Sequence, residues 1–117
     1  MAVGSSKALS SGQVLPMWQV PLSLMEAAAR RYLKGNEKGY PIHNWRSGLG
    51  DPLFIRDRAN HAMVHMARLL NGDTSVDDLQ GNVDAVVWFA AMMCEALRLY
   101  PETVKQAFYN EPRGEKL

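Results

Sequence analysis

Residues 51–72 read DPLFIRDRANHAMVHMARLLNG. Asp51 followed by Pro52 is a helix-starting pair, and Asn71-Gly72 is a helix-stopping pair. Between them Ile55, Ala59, Ala62, Met63, Met66 and Leu70 recur at helical spacing. The stretch predicts a helix from about Pro52 to Asn71 with one apolar stripe, which calls for other elements to pack against.

Downstream, Asp73 to Gly81 is a polar, acidic connection. Residues Ala85 to Cys94 are apolar without interruption, predicting a third helix over about Asn82 to Tyr100, ended by Pro101. A helix apolar all round is expected to be the most buried, with Cys94 as a small core residue. Glu102 to Tyr109 predicts a short fourth helix.

Upstream, a first helix is expected from about Leu22 to Lys34. Ser23 and Glu26 have capping-box spacing, Arg30, Arg31 and Lys34 suit the C-terminal dipole, and Gly35 is placed to end it. Leu22, Met25, Ala29, Tyr32 and Leu33 mark its inner face. No strand pattern competes. The expected fold is all-α, a compact bundle of three main helices with a short C-terminal helix. A small domain offers few neighbours for so apolar a third helix, so a homo-oligomer is expected to complete it.

One domain over residues 14–110 follows from the length of 117. Residues 1–13 are small and polar and read as a disordered arm, and 111–117 as a loose tail. Val14 to Val20, with Trp18 at its centre, reads as an apolar arm packed on the domain, which Pro16 and the Pro21 that follows make extended or turn-like rather than helical. Lys+Arg number 13 and Asp+Glu 12, a balance that gives no case for general nucleic-acid binding. The lone Cys94 excludes an intrachain disulfide and offers no zinc pattern. The longest apolar run is too short for a bilayer, so no membrane partner and a cytoplasmic location are expected.

Residues 35–48, GNEKGYPIHNWRSG, are too rich in breakers for helix or strand. They nonetheless carry Lys38, Tyr40, His43, Asn44, Trp45 and Arg46. A long connection holding aromatic and charged side chains is the pattern of a binding loop, or else Trp45 and Tyr40 plug the end of the core.

On the second helix Arg58, His61, His65 and Arg68 are spaced 3, 4 and 3. At about 100° per residue they share roughly one quarter of the circumference, beside the apolar stripe. Such a stripe suits a phosphate, with fixed forked charges from the arginines and titratable donors from the histidines. It also reads as a solvated polar face. The i,i+4 histidines have chelating geometry, but the flanking arginines repel a metal. Asp84 opens the apolar helix, either as a first-turn acid or as a carboxylate for Mg²⁺, and Asp73, Asp77 and Asp78 lie just upstream. No phosphate-loop, dinucleotide or nucleophile-elbow motif occurs.

Residues Gly35, Lys38, Tyr40, Asn44, Trp45, Arg46 and Gly48, then His65, Gly72-Asp73, Asp77 and Gly81, form a series that resembles the N-terminal domain of the dATP/dGTP diphosphohydrolases common in phages. The resemblance covers Leu22 to Leu97, with Asp84 about where that family tends to have a histidine. It implies purine deoxynucleotide chemistry, release of pyrophosphate and a divalent metal. The related MazG-type enzymes hold Mg²⁺ with Glu-x-x-Glu and Glu-x-x-Asp pairs. Here Glu26 is followed at that spacing by Ala29, and Glu95 by Arg98. The resemblance therefore supports nucleotide binding better than hydrolysis.

The expected function is binding of a purine nucleotide or nucleotide-derived molecule. Trp45 or Tyr40 stacks on the base, Asn44 reads an edge or a hydroxyl, and Lys38, Arg46, Arg58, His61, His65 and Arg68 complete the site. Without efficient turnover it is a sponge for a nucleotide immune signal. The alternative is a Mg²⁺-dependent dATP/dGTP diphosphohydrolase with Asp84 on the metal.

Overall fold

The computed structural model describes residues 14–40 and 44–109. The expected arm at 1–13, the tail at 111–117 and His43 of the loop lie outside the described residues. Four α-helices follow in order: α1 Leu22–Glu37, α2 Pro52–Asn71, α3 Leu79–Leu99 and α4 Pro101–Phe108. Short 3-10 turns occupy Met17–Gln19 and Asn44–Gly48. The fold is all-α, and among the described residues no strand occurs. No helix among them is long and apolar enough to cross a membrane.

The α2 boundaries match the sequence reading. The Asp51 side chain accepts from the Leu53 amide at 2.9 Å, and Gly72 closes the helix at φ +64°. Three other details differ. The first helix runs past Gly35, because Gly39 at φ +95° takes the left-handed position instead. The Gly39 amide donates to Asn36 and the Tyr40 amide to Gly35, satisfying the last carbonyls of α1. The Ser23/Glu26 capping box does not form, since α1 begins at Leu22 behind Pro21, with no side-chain cap. The third helix starts three residues early because Asp78 caps it, accepting from the Gly81 amide at 2.7 Å.

Helix α3 is the central element. Both α1 and α2 pack chiefly on it, and α4 folds back against α2 and α3. It contributes Asn82, Asp84, Ala85, Met92 and Ala96 to the interior, more than any other helix. The core gathers Leu49, Ile55, Met92, Ala96 and Ala107, with Trp45, Phe54, Trp88 and Phe89 against it. Gly48 is obligatory for that packing. A Cβ there would stand 2.5 Å from the Phe54 ring.

Three burial expectations are corrected. The expected inner face of α1 turns largely outward, with Leu22 67%, Met25 70% and Leu33 55% exposed, and the residue that α1 buries is Ala27. Cys94 is exposed. The α2 stripe is buried only at its start, for Met63 is 70% and Leu70 81% exposed. In its C-terminal half α2 turns His65 toward α3 instead, and His65 is 2% exposed. Three helices cannot cover every side of one another, and polar complementarity between His65 and Asn82 decides which side of α2 goes inward.

Candidate functional site

Because α1 and α2 flank α3 rather than each other, a cleft of about 890 Å³ opens between them. Ala85, Trp88 and Phe89 of α3 form its floor, which extends to Glu95. At 1.5 Å per residue, Ala85 to Glu95 spans about 15 Å. One wall is α1, with Arg31, Tyr32 and Lys34 and with Lys38 just past its end, and the other is α2, with Phe54, Arg58 and His61. Tyr40 and the 3-10 turn carrying Asn44, Trp45 and Arg46 close one end.

Aromatic rings from floor, wall and end meet in the cleft. Tyr32 lies 5.8 Å from Trp45, tilted by 34°, and meets Trp88 edge-on at 6.2 Å. These are ordinary separations for interacting rings. Burial pushes the Tyr32 phenol above its usual value, with nearby Arg46 partly opposing it. The Arg46 guanidinium sits over Trp45 at 5.3 Å and pairs with Glu95 at 3.2 Å. Glu95 also accepts two hydrogen bonds from Arg98, which with Arg46 hold its carboxyl below the usual range.

Across the cleft Arg58 donates to Asp57 at 2.7 Å and lies 5.9 Å from the Phe54 ring. Its Nε is buried and, among the described residues, has no hydrogen-bond partner. His61 lines the same wall. Burial, then the charge of Arg58, keeps its imidazole below its ordinary value.

Thus Lys38, Tyr40, Asn44, Trp45, Arg46, Arg58 and His61 are brought together in one cleft. Three other candidates are not among its lining residues. His65 lies edge-on behind His61, its ring 4.9 Å away. Its Nδ1 is 2.8 Å from Asn82 Oδ1. The Asn82 amide nitrogen donates to the carbonyls of Asp77 and Asp78, so Oδ1 is the acceptor and His65 Nδ1 carries the proton. Arg68 approaches Asp77 at 3.8 Å. Asp84 is committed to packing. Arg30 donates to both its oxygens at 2.8 and 3.0 Å, and Gln80 adds a third bond at 2.8 Å. Those partners, Arg30 first, hold its carboxyl below the usual range.

Asp84 therefore does not fit as a Mg²⁺ ligand in this arrangement, because a metal would have to displace Arg30. Among the described residues no cluster of three or more His, Cys, Asp or Glu side chains is placed to hold a metal.

Sequence reading missed Tyr32, Trp88, Arg31 and Lys34 as cleft residues. Tyr32 was expected in the core, and the two cations at the helix dipole. A signal existed, for Arg31, Lys34 and Lys38 are spaced i, i+3, i+7 on one side of α1. No family model, curated protein or solved structure matches this chain.

Proposed function

We propose that this domain binds a purine nucleotide, or a molecule derived from one, in the cleft between α1 and α2. The carrying observation is a cluster of aromatic rings, Tyr32, Trp45 and Trp88, lining a cleft that also bears Arg31, Lys34, Lys38 and Arg58. A base needs a π-surface and phosphates need fixed cations, and the cleft offers both within one nucleotide's reach. Tyr40 and Asn44 at the mouth supply a second aromatic face and an amide for a base edge or sugar hydroxyl.

Binding without efficient turnover is the reading favoured here. Metal-assisted hydrolysis needs carboxylates to hold the ion, and the best candidate, Asp84, is occupied by Arg30 and Gln80. A protein of this kind would act as a sponge in a bacterial cytoplasm, sequestering a nucleotide immune signal. The resemblance to phage dATP/dGTP diphosphohydrolases keeps the enzyme alternative testable.

A panel of nucleosides and nucleotides, screened by thermal shift with and without Mg²⁺ and followed by calorimetry, tests the reading. A bound ligand raises apparent stability by mass action. Recovery of intact ligand after long incubation with Mg²⁺ supports the sponge. Metal-dependent release of pyrophosphate would establish the enzyme instead, and no shift with any nucleotide would remove both.

A further inference from the structure

Asp77 sits where the three main helices meet, at the entry to α3. Its side chain is buried, and its surroundings are over-supplied with positive charge. Lys34 donates to Oδ1 at 2.8 Å, Arg31 stands at 3.9 Å and Arg68 at 3.8 Å. His65 Nδ1 is 3.7 Å away. One carboxylate thus faces three fixed cations, whereas Asp84 nearby has, among the described residues, a single ion-pair partner, Arg30.

Two of those cations, Arg31 and Lys34, also line the cleft, and Lys38 continues their row. Arg31, Lys34 and Lys38 lie at i, i+3 and i+7, and the cap residue Lys38 keeps helical backbone angles, so they share one side of α1 and its C-cap over about 10 Å. Lys38 forms no ion pair among the described residues. Opposite them, the orphaned Arg58 Nε adds a buried donor on the α2 wall. A single phosphate reaches one or two members of such a row, while a chain of linked phosphates reaches all three.

We infer, building on the nucleotide reading, that Arg31, Lys34 and Lys38 form the anion subsite of the cleft, that it takes a linear chain of two or three phosphates, and that Asp77 is its internal competitor. In the free protein the Asp77 carboxylate stands in for the ligand's terminal anion, holding Lys34 and Arg31 in extended positions. An incoming phosphate chain takes over their donors, and Arg68 remains to compensate Asp77. The carboxyl of Asp77 is held below the usual range, by Lys34 first, so the competitor is charged at neutral pH.

The test uses the full chain with inorganic tripolyphosphate, pyrophosphate and orthophosphate as probes in calorimetry, and guanosine and adenosine as base-only probes. Tripolyphosphate is expected to bind at least about tenfold tighter than orthophosphate. Lys34→Gln and Lys38→Gln should each weaken tripolyphosphate about tenfold while leaving nucleoside affinity unchanged, and Lys105→Gln on α4 should change neither. Asp77→Asn should tighten tripolyphosphate about tenfold, with a native circular dichroism spectrum as the control. Equal affinity for orthophosphate and tripolyphosphate, or no loss in the two lysine variants, would overturn the subsite. Weaker tripolyphosphate binding by folded Asp77→Asn would overturn the competitor role. Should Asp77→Asn fail to fold, Asp77→Ser in the same assay decides the competitor role by the same criterion, and failure of both to fold would show Asp77 to be structural and overturn it. Loss of nucleoside binding with tripolyphosphate binding intact would instead count against the nucleotide reading alone.

Discussion

His65 Nδ1 lies 2.8 Å from Asn82 Oδ1, and both side chains are almost wholly removed from solvent. This bond joins α2 to the first turn of α3, while Asn82 also ties down the carbonyls of the preceding loop. Asn82→Ala should therefore cost about 1–3 kcal/mol by stranding a buried imidazole donor and the Asp77 carbonyl, since the Asp78 carbonyl keeps the backbone amide of residue 82. Chemical denaturation checks it. Unchanged stability would show that water replaces the amide without cost.

Trp45 has two roles to separate. It packs on the core and also forms the cleft's aromatic end. Trp45→Ala is expected to lose both stability and nucleotide affinity, which by itself decides little. Tyr40 is 57% exposed and lines the same cleft. Tyr40→Ala should leave the melting temperature nearly unchanged and, if the ring stacks on the base, reduce affinity by about 1–3 kcal/mol. Full affinity in folded Tyr40→Ala would assign stacking to the Tyr32, Trp45 and Trp88 cluster alone.

Arg58 and Arg68 share a stripe in the sequence but separate in the fold. Arg58→Gln should weaken a nucleoside triphosphate by about 1.5–3 kcal/mol and a nucleoside much less. Arg68→Gln, outside the cleft, should have the smaller effect on both. Calorimetry on the two variants ranks them, and a larger loss from Arg68 would mean that phosphates bind near Asp77 from the α2 side.

Acid stability depends on Asp84 in a stated direction. Its carboxyl is held below the usual range in the folded chain, first by Arg30. A group with a depressed folded value contributes stability that is complete above its unfolded value, about 3.9, and is lost as pH falls through the folded value. Arg30 is half exposed, so Asp84→Asn should cost only about 1 kcal/mol at pH 7. Denaturation of wild type and variant across pH should show that gap closing below pH ~3.9. A gap independent of pH would place the contribution in packing rather than charge.

Met63 and Met66 stand exposed on α2 beside an apolar hollow lined by Val86, Met93 and Phe108. The homo-oligomer expected from the apolar third helix would need such a face, and this one is open to test. Met63→Lys should then shift the sedimentation profile toward monomer without unfolding the chain, since a charge in an apolar interface has no partner. An unmodified protein that sediments as a monomer would rule out the pairing.

Much of this architecture was legible in residue order. Asp51-Pro52, Asn71-Gly72 and the apolar run of α3 announced helices because caps, breakers and 3.6-residue spacing act locally. The errors arose where two local solutions competed. Gly35 and Gly39 are both able to close α1, and it is Gly39 that takes the left-handed position. Asp78 displaced the expected start of α3 because its carboxylate reaches the Gly81 amide. The cleft-lining residues Lys38, Tyr40, Asn44, Trp45 and Arg46 were legible as candidates because aromatic and charged groups in a breaker-rich segment stand out.

What the sequence by itself determined is the set of helices and the content of the loop, since both follow from interactions a few residues apart. Which face of each helix turns inward is a non-local matter, set by what the neighbouring helix offers. Asn82 drew His65 into the interior and left Met63 and Leu70 outside. Arg30 took Asp84 as its partner, and Asp77 collected cations from α1 and α2. The cleft exists because both of those helices chose α3 as their packing partner, which put Arg31, Tyr32 and Lys34 opposite Arg58 and His61. No spacing within a single helix encodes that arrangement.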